Sequence, residues 1–267
     1  MNRLQPRRFG QLDLYGSPIG LGTVKWGRNQ KVKYAPFELP SIAQLQSLLG
    51  AAEEMGINVI DTAPAYGIAE ERAGAALKGR RDRFLLISKV GEEFEEGVSS
   101  YHFDPSHVIA SVERSLVRLC TDRLDLLLLH CPPADLPVVE SQELHAVLQS
   151  LKSRGLVRYV GASTMTLEGG LRAVALLDAV MVSWNIDYRA QQAVIDRAHE
   201  LGRAVLLKKA LLSGDLGGHG QPSRVRECIQ GALSVQGVSS LIVGTIQEAH
   251  LRENVAAALP SSAMKGR

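Results

Sequence analysis

Four side chains in the first half of the chain could act together on a proton. Asp61 and Tyr66 stand in Ile60-Asp61-Thr62-Ala63-Pro64-Ala65-Tyr66-Gly67, Lys89 in Ile87-Ser88-Lys89-Val90, and His130 directly after Leu126 to Leu129. A carboxylate, a phenol, an amine and an imidazole are the parts needed to hand a proton to an oxygen on which negative charge is developing. A phenol with an ordinary pKa of about 10 is a reluctant acid by itself. An ammonium from Lys89 beside it would favour the phenolate and lower the Tyr66 pKa, and Asp61 would keep that lysine charged and oriented. His130 could donate a hydrogen bond to a substrate oxygen or relay its proton. Addition of hydride to a carbonyl leaves an alkoxide, and is the chemistry such a set would serve.

Taken singly, each residue has an ordinary explanation. A strand-end Asp caps the next helix, a Tyr packs a loop, a Lys lays its stem on apolar surface, and a His beside Pro132-Pro133 satisfies backbone groups. Their positions argue for the set. Each residue ends a short apolar run or lies in the loop just after it, on three successive runs. In a barrel of parallel strands such ends converge on one face.

The elements needed to position them can be read from about residue 40 onward, where helix-period segments alternate with short apolar runs, as in parallel strands joined by crossover helices. Pro40 and Ser41 open a helix whose apolar positions Ile42, Leu45, Leu48, Leu49, Ala52 and Met55 recur at threes and fours. Gly56 can close it in a left-handed conformation. Ile57 to Ile60 follows as a strand. The next cycles run from a helix over Glu70 to Leu77 into Phe84 to Ser88, and from an N-cap at Asp104-Pro105 into Leu124 to Leu129. Helices near 139–153, 165–176, 189–201 and 223–234 then alternate with strands near 156–161, 179–183, 203–207 and 240–243, and a last helix spans Gln247 to Ala258. With an opening strand at Ile19 to Leu21, eight strands are expected. The fold class is α/β, a (β/α)8 (TIM) barrel with outer helices, as a single domain over residues 1–267. A doubly wound open sheet shares the alternation, but no GxGxxG turn follows the first strand, and Gly20-Leu21-Gly22 alone is weak.

Composition limits the partners. A chain of 267 residues is close to the roughly 250 typical of such a barrel. A net charge of +2 gives no reason to expect nucleic acid or an anionic membrane, which favours a small-molecule substrate. Cys120, Cys131 and Cys228 are too few and too irregularly spaced for a disulfide framework, so a reducing compartment, the cytoplasm, is expected. Gly10, Gln11 and Asp13 interrupt any export signal that Arg7-Arg8 could begin, and no apolar run approaches a membrane span. The seven histidines contain no HxH or HExxH pair, so no metal is expected.

The chain resembles the aldo-keto reductase family. The likeness rests on Asp61-Thr62-Ala63 with Tyr66-Gly67, Ser88-Lys89 and Leu128-Leu129-His130, in that order, and extends over nearly the whole chain. It implies a barrel, carbonyl reduction dependent on NADPH, with NADH possible, and Tyr66 as the proton donor beside Asp61, Lys89 and His130. Gly20-Leu21-Gly22-Thr23 is similar to the family's opening strand, Val160-Gly161-Ala162-Ser163 to the segment that meets the nicotinamide carboxamide, and Glu253-Asn254 to its adenine-side pair. There are departures. Thr164 stands where Asn is usual, Met181 where a Gln helps bind the carboxamide, Trp184-Asn185 where Tyr-Asn is common, and Lys208 where a Tyr stacks on the nicotinamide ring. The apolar face for that ring is therefore left open between Leu207 and Trp184, with Lys208 facing phosphate. Gly244-Thr245-Ile246 and then His250 replace the family's basic segment for the adenosine phosphate, so discrimination of NADPH over NADH would be modest.

Other functions use the same features. A Schiff-base aldolase or lyase would use Lys89 as nucleophile, but a neighbouring Asp61 raises a lysine pKa rather than lowering it. A non-catalytic NADPH-binding redox sensor would keep the barrel and lose the chemistry. The substrate would be chosen by the loops Val24 to Pro40, Gly91 to Phe103 and Ser213 to Gln221. Trp26, Phe37, Phe94, Tyr101 and Phe103 offer aromatic walls there, with Trp26, Tyr66 and His130 expected to touch the substrate. Oligomeric state is not readable from the sequence.

Overall fold

The computed structural model describes residues 3–32, 36–212 and 222–259. In chain order, β1 (Arg7–Arg8) and β2 (Tyr15–Gly16) form an antiparallel hairpin, followed by β3 (Ile19–Gly22), α1 (Val24–Gly27), α2 (Ile42–Met55) and β4 (Val59–Asp61). A 3-10 turn at Pro64–Tyr66 leads to α3 (Ala69–Ala76) and β5 (Leu85–Val90). A second antiparallel hairpin, β6 (Glu92–Glu95) and β7 (Val98–Tyr101), precedes α4 (Pro105–Arg118), β8 (Leu124–His130), α5 (Leu136–Glu140) and α6 (Gln142–Ser153). The remainder is β9 (Val157–Ser163), α7 (Leu167–Leu176), β10 (Ala179–Ser183), α8 (Gln192–Glu200), β11 (Ala204–Lys208), α9 (Pro222–Ser234), β12 (Val238–Val243) and α10 (Glu248–Ala258). Strands β3, β4, β5, β8, β9, β10, β11 and β12 close into a parallel barrel in that order.

Local chemistry sets the boundaries. Ser41 caps α2 in a reciprocal box: its hydroxyl accepts from the Gln44 amide while the Gln44 side chain accepts from the Ser41 amide, and Gly56 ends the helix with φ 85°. Asp104 accepts from the His107 amide at the start of α4, ahead of Pro105. The expected helix over 139–153 is interrupted, because Ser141 leaves the helical conformation to cap α6.

A strand's side chains alternate, and here the two faces sort into two cores. Ile60, Leu86, Leu127, Leu129, Val180, Val182, Val205 and Leu207 join the large cluster between strands and helices. Val59, Ile87, Leu126, Leu128, Ala179, Met181, Ala204 and Leu206 fill the barrel interior. Phe9 and Leu14, from the β1–β2 hairpin, belong to that inner cluster and are fully buried. They stopper the end where the strands begin. Phe9→Ala is expected to cost about 3–5 kcal/mol, since the hairpin cannot collapse into the space the ring leaves. Urea unfolding checks this; a loss under about 1 kcal/mol would show that the stopper does not support the barrel.

Candidate active site

One step of two beyond the inner apolar layer brings a polar layer to the ends of the strands. Asp61 follows Val59, Lys89 follows Ile87, His130 follows Leu128, and Lys208 follows Leu206, each on the same inward face as its predecessor. Ser163 pairs in register with His130, and Lys208 with Ser183. Tyr66 reaches the same mouth from the 3-10 turn after β4, held by its amide on the Ala63 carbonyl.

Lys89 and Asp61 form a buried ion pair, with Nζ 2.6 Å from Oδ1. Nζ also donates to the Thr62 carbonyl at 2.9 Å and lies 4.8 Å from the centre of the Tyr66 ring. The Tyr66 and His130 rings meet edge to face at 6.2 Å. Burial disfavours the Lys89 ammonium, but Asp61 and Tyr66 together outweigh it and hold the lysine above its ordinary pKa. Such an amine is a poor imine-forming nucleophile at neutral pH. Tyr66 corrects an expectation. Its pKa is raised rather than lowered, because burial of a phenolate costs more than Lys89 returns and Asp61 opposes the lysine. The phenol therefore stays protonated at neutral pH.

On the other side of the mouth, Lys208 donates to the Ser163 hydroxyl at 2.8 Å. Burial, then Lys209 and Lys89, push its pKa down to about 8. Among the described residues no carboxylate lies within ion-pairing distance of it, so it is a half-buried cation short of an anion. Gly22 and Gly244 sit on adjacent strand ends, with open space around the Gly244 Cα. Beyond them Thr245 binds the Gln247 amide through its hydroxyl, and α10 starts without a side-chain cap. His250 and Glu253 are exposed on α10 while Asn254 is buried.

Several expected ligand contacts lie elsewhere. Leu207 points outward into the helix layer, because its neighbour Lys208 points inward. Trp184 is also in the outer layer, with its indole nitrogen donating to Gln192 at 2.7 Å. Neither presents a face to the mouth. Met181 is in the barrel interior, one layer below the strand ends. Trp26 is wholly buried in the large core and offers no surface to a substrate, while Thr23 and Thr164 are buried with unpartnered hydroxyl oxygens. The Ser213 to Gln221 loop lies outside the described residues, as do 33–35 within the Val24 to Pro40 loop.

The β6–β7 hairpin was not foreseen. It folds the Gly91 to Phe103 segment back against the Tyr66 turn. At Gly91 φ is 113°, and a Cβ there would collide with the Phe103 ring, so the sharp exit from β5 requires glycine. Phe94 stacks under the Arg28 guanidinium at 3.4 Å, and Arg28 in turn donates to the Ala65 carbonyl just before Tyr66. Glu92, the first residue of the hairpin, brings a carboxylate to 3.0 Å from His130 Nδ1.

A (β/α)8 barrel with a buried Asp–Lys pair, a tyrosine and a histidine at the C-terminal strand ends defines a class of enzyme scaffold, and comparison with known proteins identifies its family. The model of the aldo/keto reductase family matches residues 18–224. A Pseudomonas aeruginosa protein assigned to the aldo-keto reductases superposes with a TM-score of 0.87 at 44% identity, covering 96% of each chain. The holo form of an aldo-keto reductase from Bacillus halodurans superposes with a TM-score of 0.81 at 25% identity, over 98% of this chain and 93% of the other. Aldo-keto reductase YhdN of Bacillus subtilis is 34% identical over 209 residues, 76% of this chain and 60% of its own length. The chain spans about half to three-fifths of the length of curated relatives such as this one. This chain belongs to the aldo/keto reductase family. Among its described residues no helix is long and apolar enough to cross a membrane.

Proposed function

We propose that the chain reduces an aldehyde or ketone to the alcohol, with NADPH as the cofactor and NADH accepted less well. The observation that carries this reading is the buried Lys89–Asp61 pair set under a protonated Tyr66 at the barrel mouth. The residues suit a nicotinamide dinucleotide in kind. Lys208 is a half-buried cation without a carboxylate, Ser163 stands beside it, Gly244 leaves open space, and the uncapped start of α10 offers backbone donors to an anion. Gly22, Ser163, Lys208, Gly244, Thr245 and His250 would hold it, with Asn254 supporting α10 from inside. When bound, such a cofactor supplies the hydride.

The chain's own groups do the rest. Tyr66 donates its phenolic proton to the carbonyl oxygen as charge builds there. Lys89, fixed by Asp61 and Thr62, stabilises the phenolate that remains. His130, in its protonated form, donates a hydrogen bond to the substrate oxygen beside Tyr66. Small neutral carbonyl compounds suit the site, since the hairpin narrows the mouth with Phe94 and Glu92. Oxidation of NADPH and of NADH by a panel of simple aldehydes and ketones tests the reading. Turnover supports it; binding of either nucleotide with no turnover of any carbonyl favours the redox-sensor alternative instead.

Lys208→Met is expected to weaken NADPH binding by roughly 10-fold near neutral pH, where the lysine is charged. In the wild type the affinity should fall as pH rises through about 8, the value at which Lys208 loses its proton, and the variant should be flat over that range. Equal pH dependence in both proteins would remove Lys208 from the cofactor site. Titration by quenching of intrinsic fluorescence gives both curves without turnover.

A further inference from the structure

Glu92 has a more specific consequence than narrowing the mouth. Its two oxygens are divided: Oε1 accepts from the Ser99 hydroxyl across the hairpin at 2.7 Å, and Oε2 faces His130 Nδ1 at 3.0 Å. That nitrogen is buried and makes no formed hydrogen bond, so the 3.0 Å approach of Oε2 acts on it as a nearby negative charge. Burial raises the Glu92 pKa, but His130 first, then Ser99 and Arg28, outweigh it and hold the carboxyl below its ordinary value. The carboxylate is therefore ionised at neutral pH and can only accept. A lone pair on Nδ1 facing it would be acceptor against acceptor.

We propose that Glu92 is a positioning residue that keeps the His130 proton on Nδ1, so that the neutral imidazole presents a lone pair on Nε2 and only the imidazolium has an Nε2 proton to donate. This rests on the proposed carbonyl reduction for its kinetic consequence, and on the hairpin geometry alone for the tautomer. A carbonyl oxygen accepts hydrogen bonds and offers none, so the neutral form of His130 cannot bind it and the protonated form can. The groups facing the ring are Glu92 from β6, Tyr66 from the turn after β4, Lys89 from β5 and Lys208 from β11. Burial leads in lowering the His130 pKa, Lys89 and Lys208 add to it, and Glu92 opposes them. Reduction is thus favoured at acid pH. At higher pH Nε2 is free to accept a proton from an alcohol, which suits the reverse reaction.

Long-range proton–nitrogen NMR of the imidazole, assigned by the peak missing in His130→Gln, reads the tautomer directly. The wild type is expected to show Nδ1–H in the neutral form. Glu92→Gln, whose amide can donate to Nδ1, should shift the proton to Nε2, and Glu92→Asp should keep it on Nδ1. In the wild type kcat/KM for reduction should fall by roughly 10-fold as pH rises through the His130 titration, and Glu92→Gln should abolish that fall. An Nε2–H wild type, or a Glu92→Gln spectrum and pH profile identical to wild type, overturns the assignment. Should Glu92→Gln not fold, the wild-type tautomer decides alone. Tautomer results as expected in a protein that reduces no carbonyl would defeat the proposed reaction and leave the role of Glu92 standing.

Discussion

Tyr66→Phe is expected to lower carbonyl reduction by about 10²–10⁴-fold while leaving dinucleotide affinity nearly unchanged. The substitution removes one oxygen and keeps the ring, so packing against the large core and the edge-to-face contact with His130 survive. The Lys89–Asp61 pair, 2.6 Å long and anchored on the Thr62 carbonyl, does not depend on the hydroxyl. On the proposed mechanism, only the proton source is lost. Steady-state kcat/KM for one good aldehyde, beside a dissociation constant from fluorescence quenching, separates chemistry from binding. A loss of only a few-fold would assign the proton to another group, with His130 the first to examine.

Lys89→Met should have the largest effect on stability, about 3–5 kcal/mol, because it leaves the Asp61 carboxylate buried without its cation. Both partners are almost wholly buried, with side-chain exposures of 1% and 4%, so solvent cannot take over the charge. The pair also carries a pH signature whose sign follows from the raised Lys89 pKa. A lysine held above its unfolded value contributes stability that is fully present below the unfolded pKa and is lost as pH rises through the folded one. The wild type should therefore weaken in strongly alkaline solution by an amount that Lys89→Met, already lacking the pair, does not show. Urea midpoints measured from neutral to alkaline pH check both parts. A variant within about 1 kcal/mol of wild type at neutral pH would mean that Asp61 takes up a proton or finds water at little cost.

Much of this architecture was legible because parallel strands advertise themselves as short apolar runs between helix-period segments. Ile19, Leu124 to Leu129 and Ala179 to Ser183 were read close to their observed limits. The gathering of Asp61, Lys89 and His130 at one mouth follows from the same alternation, since each stands two residues beyond an inward apolar residue. That parity also shows what was misread. If Lys208 faces the mouth, Leu207 cannot, and a two-residue period applied strictly along β11 would have excluded it.

Two features depended on three-dimensional context. The direction of the Tyr66 shift turns on how far the fold desolvates the phenol, which no neighbouring residue in sequence reveals. The β6–β7 hairpin hides in Glu92-Glu93-Phe94-Glu95-Glu96-Gly97-Val98-Ser99-Ser100-Tyr101, a charged stretch whose first arm has Phe94 as its single strong strand former among three glutamates. Its one signal is the two-residue turn Glu96-Gly97, where φ is 48° and 84°. Asn-Gly or Asp-Gly would have announced such a turn; Glu rarely takes a positive φ. Missing the hairpin meant missing Glu92, the group that faces His130.

The central claim is that hydride reaches a carbonyl carbon at this mouth, and transfer of deuterium tests it most directly. The protein is incubated with NADPH carrying deuterium on both positions of the nicotinamide C4 and with an aldehyde that it consumes, and the product is analysed by mass spectrometry. The expected product is an alcohol with a single deuterium on the former carbonyl carbon, formed at a rate that Tyr66→Phe suppresses. Consumption of the aldehyde without deuterium in the product, or binding of the nucleotide with no alcohol formed, would contradict it.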